Sequence, residues 1–286
     1  MTRHDAPLIA WIEGIGLRGP GLPGWAASAD ILAGRVEHVE ASTVLVAPAA
    51  LPPAERRRVG KGVKIALDVG FEAIAHAGLD AAFLPSVFTS SSGDGDNCDV
   101  ICRSLADDRL ISPTRFHNSV HNAPSGYWGI ASHSMAPSTS LCAYDDSFAA
   151  GLDDALTQLA GGIEAIVLVA YDAPYPEPLH AARPTPDTFG IALVLTRAPG
   201  PRALARITMR ATAVADPHRT AMHIASLERV RAAIPAARAL PLLAAIATGD
   251  ERTIVLEDAQ GTHRLLHVQS ISSPTPVTRE SHTQCA

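Results

Sequence analysis

The chain has 286 residues, of which 47% are hydrophobic and 18% charged, and its net charge is −6. That length suits one large or two small domains with a sizeable buried core, and the low charged fraction points to surface hidden in a partner interface. The negative balance excludes a protein that grips nucleic-acid phosphates, and the longest apolar runs fall short of the ~20 residues that span a bilayer.

In chain order, Met1 to Asp5 lead into strand-like sequence and not into a signal-peptide core. A cytoplasmic setting is therefore expected, with Cys98, Cys102, Cys142 and Cys285 as reduced thiols. Residues 8–15 read as a first strand, followed by Gly- and Pro-rich turns at 19–24. Residues 25–32 read as a short helix and 43–46 as a strand. From 54 to 77, Val63, Ala66, Leu67, Gly70, Phe71 and Ile74 recur at helical spacing, and Gly78 is placed to end the helix. Residues 83–88 form an apolar strand and 89–97 a polar loop. Residues 98–106 and 117–130 are helical stretches, with Gly126 inside the second. A short apolar run at 141–144 precedes a helix over 146–160. Residues 163–171 (IEAIVLVAY) are the clearest buried strand, and their unbroken hydrophobicity suits a sheet covered on both faces. After a Pro-rich excursion at 173–186 come strands at 189–196 and 204–212. An Ala-rich helical region at 220–243 is broken by Pro235 and Pro241. A hairpin pairs 253–257 with 263–269 around Gln260-Gly261, and a polar tail, expected to be disordered, runs over 272–286. Alternating strands and helices predict a layered α/β fold with a mostly parallel or mixed sheet.

The densest signals lie in residues 111–148. Ser112-Pro113 is a turn. Asn122 and Gly126 sit in the helical stretch after it. Ala136-Pro137-Ser138 leads into the run 141–144, and Ser147 follows the pair Asp145-Asp146. This order resembles the stretch of β-ketoacyl-acyl-carrier-protein synthases that leads to their catalytic cysteine. There a Ser-Pro turn precedes an interface helix bearing Asn and Gly, and a Gly-Pro-Ser precedes a strand ending in Thr-Ala-Cys. An ungapped match places that cysteine position on Asp145. Residues 9–16, 27–35, 65–80 and 189–195 resemble further family segments, so the likeness spans about residues 8–200. It implies a thiolase-like α/β/α fold whose N-terminal half occupies 1–200, with a reduced extension over 201–271 packing on it.

Two departures carry the functional expectation. A synthase holds its acyl chain as a thioester on a nucleophilic thiolate, which a carboxylate such as Asp145 cannot replace. The family's two histidine motifs, His-Gly-Thr-Gly-Thr and a Gly-His type, are also missing around His218, His223, His263 and His267. The combination resembles chain-length factors, and more closely the short ketosynthase-like subunits of aryl-polyene and xanthomonadin-type pigment clusters. By that resemblance the subunit is non-catalytic by itself and needs no cofactor. It pairs with a β-ketoacyl-ACP synthase across residues 117–130, shapes that partner's acyl tunnel, and meets acyl carrier protein indirectly. The residues so implied at the interface or tunnel are His117, His121, Asn122, Gly126, Tyr127, Trp128, Cys142, Tyr144 and Phe148. Two alternatives stay open: an active acyltransferase or hydrolase using Cys142 or a serine, and a homodimeric acyl-binding scaffold.

Several residues carry simpler readings as well. Asp145 suits the N-cap of the helix after it, besides any part in decarboxylating a malonyl group. Cys142 reads as a buried structural thiol. Tyr127 and Trp128 read as core packing or as tunnel lining. The i,i+4 pairs Cys98/Cys102 and His117/His121 lack zinc-knuckle spacing, so no metal is expected. Asp94-Gly95-Asp96-Asn97 starts like a calcium loop but lacks the later ligands, which makes it a turn. Arg56, Arg57 and Arg58 form a solvated face or attract an acidic carrier protein.

Overall fold

A computed structural model gives the fold and describes residues 6–212, 219–256 and 263–271. The expected tail at 272–286, Cys285, His218 and the Gln260-Gly261 turn lie outside the described residues.

The chain opens with β1 (Leu8–Arg18) and α1 (Trp25–Leu32). The strand expected at 43–46 does not form. That stretch is an extended strap, tied by its own side-chain and backbone bonds: the Thr43 amide donates to Asp187 Oδ2 at 2.8 Å and its hydroxyl to the Thr188 carbonyl at 2.7 Å. The single helix expected over 54–77 is two, α2 (Pro53–Arg56) and α3 (Lys61–Ala77). Gly60 is extended between them, and a Cβ there would lie 2.6 Å from the Asp94 carboxylate. Gly78 closes α3 in the left-handed region at φ 68°, which a residue with a Cβ rarely adopts. Then follow β2 (Ser86–Thr89), α4 (Gly95–Ala106), α5 (Pro113–Asn118) and α6 (Ala123–Ser132). The helical stretch expected over 117–130 is thus split. Pro124 has no amide proton to continue a helix, and it sits in the first turn of α6, where none is needed.

The chain continues through β3 (Ser138–Leu141), α7 (Ser147–Ala160), β4 (Ala165–Asp172), the single turn α8 (Leu179–Ala182), β5 (Phe189–Thr196) and β6 (Ala205–Thr212). It ends with α9 (Ala225–Ala233), α10 (Leu240–Thr248), β7 (Arg252–Leu256) and β8 (His263–Ser270). A 3-10 turn at Pro235–Ala239 joins α9 to α10, and Pro241 begins α10 instead of breaking a helix. β3 forms from Ser-Thr-Ser-Leu, upstream of the apolar run, because backbone pairing with β2 places it and hydrophobicity does not.

Among the described residues eight strands form one mixed sheet in the order β3-β2-β4-β5-β1-β6-β8-β7. β2 runs parallel to β3 and to β4, and every other pairing is antiparallel. The period of two along β4 divides its side chains between two cores. Ile166, Leu168 and Ala170 face one layer with Leu152 and Leu156 of α7 and Leu240 and Leu243 of α10. Val167, Val169 and Tyr171 face the other with Ile65, Ala66 and Val69 of α3 and Trp128 of α6. The expected α/β/α layering is therefore present.

α3 lies close on β1 because β1 carries glycines where the helix crosses. A Cβ at Gly14 would lie 2.2 Å from the Ala73 carbonyl oxygen, and one at Gly16 would lie 1.9 Å from that of Val69. Segment 201–271 contributes β6, β7 and β8, which extend the same sheet beyond β1.

Candidate functional site

The turn from β3 into α7 lies at the C-terminal ends of the parallel strands β2, β3 and β4, a place where α/β sheets set their ligands. Thr89 of β2 pairs with Leu141, so residues 90–94 and 142–146 leave the sheet side by side. The turn is tight. Tyr144 has φ 53°, and residues Tyr144–Asp146 form one 3-10 turn. Ser147 holds it, accepting from the Ala143 amide at 3.0 Å and donating to the Tyr144 carbonyl at 2.7 Å. A strand–turn–helix of this kind presents a nucleophile in other folds. Here the strained residue is a tyrosine and the next an aspartate, so neither the turn's apex nor the residue after it offers a thiol.

Asp145 is not an N-cap, because its carboxylate leaves the helix end for two arginines. Arg183 Nη2 donates to Oδ1 at 2.6 Å and Arg238 Nη2 to Oδ2 at 3.2 Å. Arg238 also donates to Asp146 Oδ1 at 2.6 Å. Burial works against the charge on Arg183, but the hydrogen bond and charge of Asp145 outweigh it and hold this guanidinium above its ordinary pKa. The same guanidinium lies 3.7 Å above the Tyr144 ring. Tyr144 remains exposed at the apex.

Behind the turn lies Asp172, the last residue of β4. It is 1% exposed and accepts from the Ser91 amide at 2.9 Å, the Ser91 hydroxyl at 2.6 Å and the Ala236 amide at 2.7 Å. Burial raises its pKa, and these hydrogen bonds oppose the rise. Burial likewise raises that of Tyr171, whose hydroxyl has no partner among the described residues.

The expected site residues separate into three groups. Cys142, His121 and Tyr144 lie in or beside the turn. Cys142 is exposed, which corrects the expectation of a buried thiol, and its Sγ lies 3.5 Å from the Ser91 carbonyl. A ring nitrogen of His121, Nε2, lies 3.2 Å from the neighbouring Ser90 carbonyl. His117, Asn122 and Gly126 lie elsewhere, on the outer face of α5 and α6. They line a groove of about 470 Å³ together with Phe116, Val120 and Ile130. Phe116 is 64% exposed, and nothing lies within 4 Å of a Cβ built on Gly126. Trp128, Tyr127 and Phe148 are packed in the cores, and Tyr127 also borders that groove. Trp128 is 1% exposed and stacks on Phe71 at 4.7 Å and edge-on to Phe88 at 6.1 Å. Tyr127 is buried and donates to Asn118 Oδ1 at 2.8 Å, and Phe148 belongs to the core around α7. Helical periodicity turns these aromatics inward and leaves His117, Asn122 and Gly126 outside.

Cys98 and Cys102 are exposed on α4. Among the described residues no three His, Cys, Asp or Glu side chains converge as a metal site would need. Asp94 caps α4, accepting from the Asn97 amide at 3.0 Å, so the calcium-like stretch is a helix start. Arg56 donates to the Ala49 and Leu51 carbonyls, whereas Arg57 is exposed. Sequence reading missed Arg183, Arg238 and Asp172. The one available signal was Asp172, an acid ending a strand too apolar to solvate it.

Residues 25–255 match the family model for the β-ketoacyl synthase N-terminal domain. The chain belongs to that family. The match runs past residue 200, so part of the C-terminal extension is family sequence too. Among curated proteins a search finds no significant match. Solved structures share the fold. A chain of the ketosynthase ApeO in complex with its chain length factor ApeC, from Xenorhabdus doucetiae, superposes with a TM-score of 0.68 at 23% identity, covering 91% of this chain and 99% of that one. A chain of the ishigamide ketosynthase/chain length factor gives 0.68 at 14% identity over 92% and 99%. A chain of AntDE:AntF, a type II polyketide-synthase acyl-carrier protein in complex with its ketosynthase bound to the hexaketide, gives 0.70 at 12% identity over 93% and 100%. Among the described residues no helix is long and apolar enough to cross a membrane.

Proposed function

We propose that this chain is a non-catalytic, chain-length-factor-like subunit that pairs with a β-ketoacyl-ACP synthase in cytoplasmic polyene or polyketide chain elongation. One observation carries the reading. At the turn where the fold would present a thiol, Tyr144 and Asp145 stand instead, and the Asp145 carboxylate is neutralised by Arg183 and Arg238. A carboxylate in that state neither forms a thioester nor attacks one.

The expected partner surface has two supports. β3 is an edge strand, so one side of its backbone is open to pairing. Beside it the groove on α5 and α6 exposes Phe116, Val120 and Ile130, apolar groups that a partner would remove from water. The three solved structures described above are ketosynthase complexes, two with a chain length factor and one with an acyl-carrier protein. In this reading the present chain meets the carrier through its synthase partner.

The exposed thiol of Cys142 favours the alternative of an acyltransferase acting on its own. One experiment separates the two. The purified chain and a co-expressed synthase are each incubated with malonyl- and acyl-carrier protein and examined by intact mass. The proposal requires co-purification, and acylation of the synthase alone. An acyl adduct on Cys142 that turns over would replace it with the acyltransferase reading.

A further inference from the structure

Two chain segments from opposite sides of the sequence flank the β3–α7 turn. On one side, the Ser90 and Ser91 carbonyls receive His121 Nε2 at 3.2 Å and Cys142 Sγ at 3.5 Å. On the other, the 3-10 turn Pro235–Ala239 presents Arg238 to Asp145 and Asp146. The two segments are bound to the same side chain. Asp172 Oδ1 accepts from the Ser91 amide at 2.9 Å, the Ser91 hydroxyl at 2.6 Å and the Ser90 hydroxyl at 3.3 Å. Its Oδ2 accepts from the Ala236 amide at 2.7 Å. Ser90 Oγ in turn accepts from the Gly93 amide at 3.2 Å, which closes the loop on itself. Four donors on two oxygens satisfy the carboxylate fully, which a buried acid needs if it is to be retained.

We propose that Asp172 is the positioning residue of this site: through Ser90 and Ser91 it seats Cys142 and His121, and through Ala236 it sets Arg238 against Asp145 and Asp146. Asp172 touches neither the thiol nor the turn's carboxylates itself. A purely space-filling residue at the end of β4 would need none of these bonds. The side chain that fits is one with two acceptors and no donor, whose oxygens point to different segments. Asparagine keeps the shape but replaces one acceptor by an NH₂ that faces donors. The inference does not depend on which partner the chain takes.

The test compares the full chain with Asp172→Asn by peptide-resolved hydrogen exchange and by site-resolved alkylation of thiols. Peptides over 90–93 and 235–239 are expected to exchange at least tenfold faster in the variant, while those over β1 and α3 keep their wild-type rates. Cys142 should alkylate several-fold faster relative to Cys98 on α4. Unchanged exchange at either flank, or acceleration spread evenly over the chain, would overturn the proposal. Ser91→Ala is the milder companion should Asp172→Asn not fold. It removes only the 2.6 Å bond, and it should loosen 90–93 and Cys142 while leaving 235–239 protected. Wild-type exchange at 90–93 and a wild-type Cys142 rate in that variant would equally refute it.

Discussion

Trp128 decides between a tunnel wall and a core. Its indole is 1% exposed, lies against Phe71 and Phe88, and fills the space over Gly70, where a Cβ would come within 2.7 Å of the ring. Truncation of such a side chain to alanine costs about 3–5 kcal/mol from lost burial and the cavity left behind. One term works in the other direction. The indole Nε1–H is buried without a partner among the described residues, a penalty that truncation relieves. Trp128→Ala should therefore fall near the lower end, about 3 kcal/mol. At roughly 2–4 °C per kcal/mol for a chain of this size class, Tm should drop by about 6–12 °C. Trp128→Phe keeps the aromatic stack and removes the unpaired donor, so it should stay within about 1 kcal/mol of wild type. Urea unfolding followed by circular dichroism measures both. In a co-expressed synthase complex, Trp128→Phe should leave product length unchanged. A loss below about 1 kcal/mol for Trp128→Ala, or altered product length in a fully stable Trp128→Phe complex, would return Trp128 to the tunnel and refute the packing argument.

Gly16→Ala should be more damaging than its size implies. The new Cβ meets the Val69 carbonyl oxygen at 1.9 Å, which is backbone and cannot rotate away, so α3 must lift off β1. A loss at or beyond the upper end of about 1–3 kcal/mol is expected in thermal melts. Arg238→Ala leaves the buried Asp146 without that partner and Asp145 with Arg183 alone. The pair lies between the exposed and fully buried cases, so about 2 kcal/mol should be lost in chemical denaturation, and Arg183→Ala should cost less because Asp145 keeps Arg238. Glu72 accepts from the Leu17 and Trp25 amides, and burial holds its pKa above the ordinary 4.5. An acid with a raised folded pKa binds its proton more tightly when folded. Its stabilising contribution is thus full below 4.5 and lost as pH rises through the folded value. The stability of the wild type relative to Glu72→Gln should accordingly fall as pH is stepped upward from 4.5. A constant difference in urea midpoints would contradict the assignment.

Parts of the fold were legible because a local pattern specified them. The run ending at Tyr171 had to be a strand covered on both faces, and β4 is that strand. Helical periodicity gave α3, and Gly78 marks its end. Hydrophobic pattern gave no signal for β3, whose Ser-Thr-Ser sequence owes its place to β2. The strap at 43–46 was misread because Val44, Leu45 and Val46 look like a strand wherever they go, although Val44 and Val46 are exposed. At the site, the ordered motif around residues 112–147 located the turn. It gave no hint of Arg183 and Arg238, which lie 38 and 93 positions from Asp145.

Composition, periodicity and motif order, all local or additive properties, determined by themselves that this is a layered α/β chain of synthase-like order with no thiol at Asp145. Tertiary structure alone decided what that aspartate does, which aromatics are core, and that Asp172 joins both flanks of the turn. Those outcomes depend on side chains from distant segments converging in space, and on burial, which sets the cost of leaving any of them unpaired.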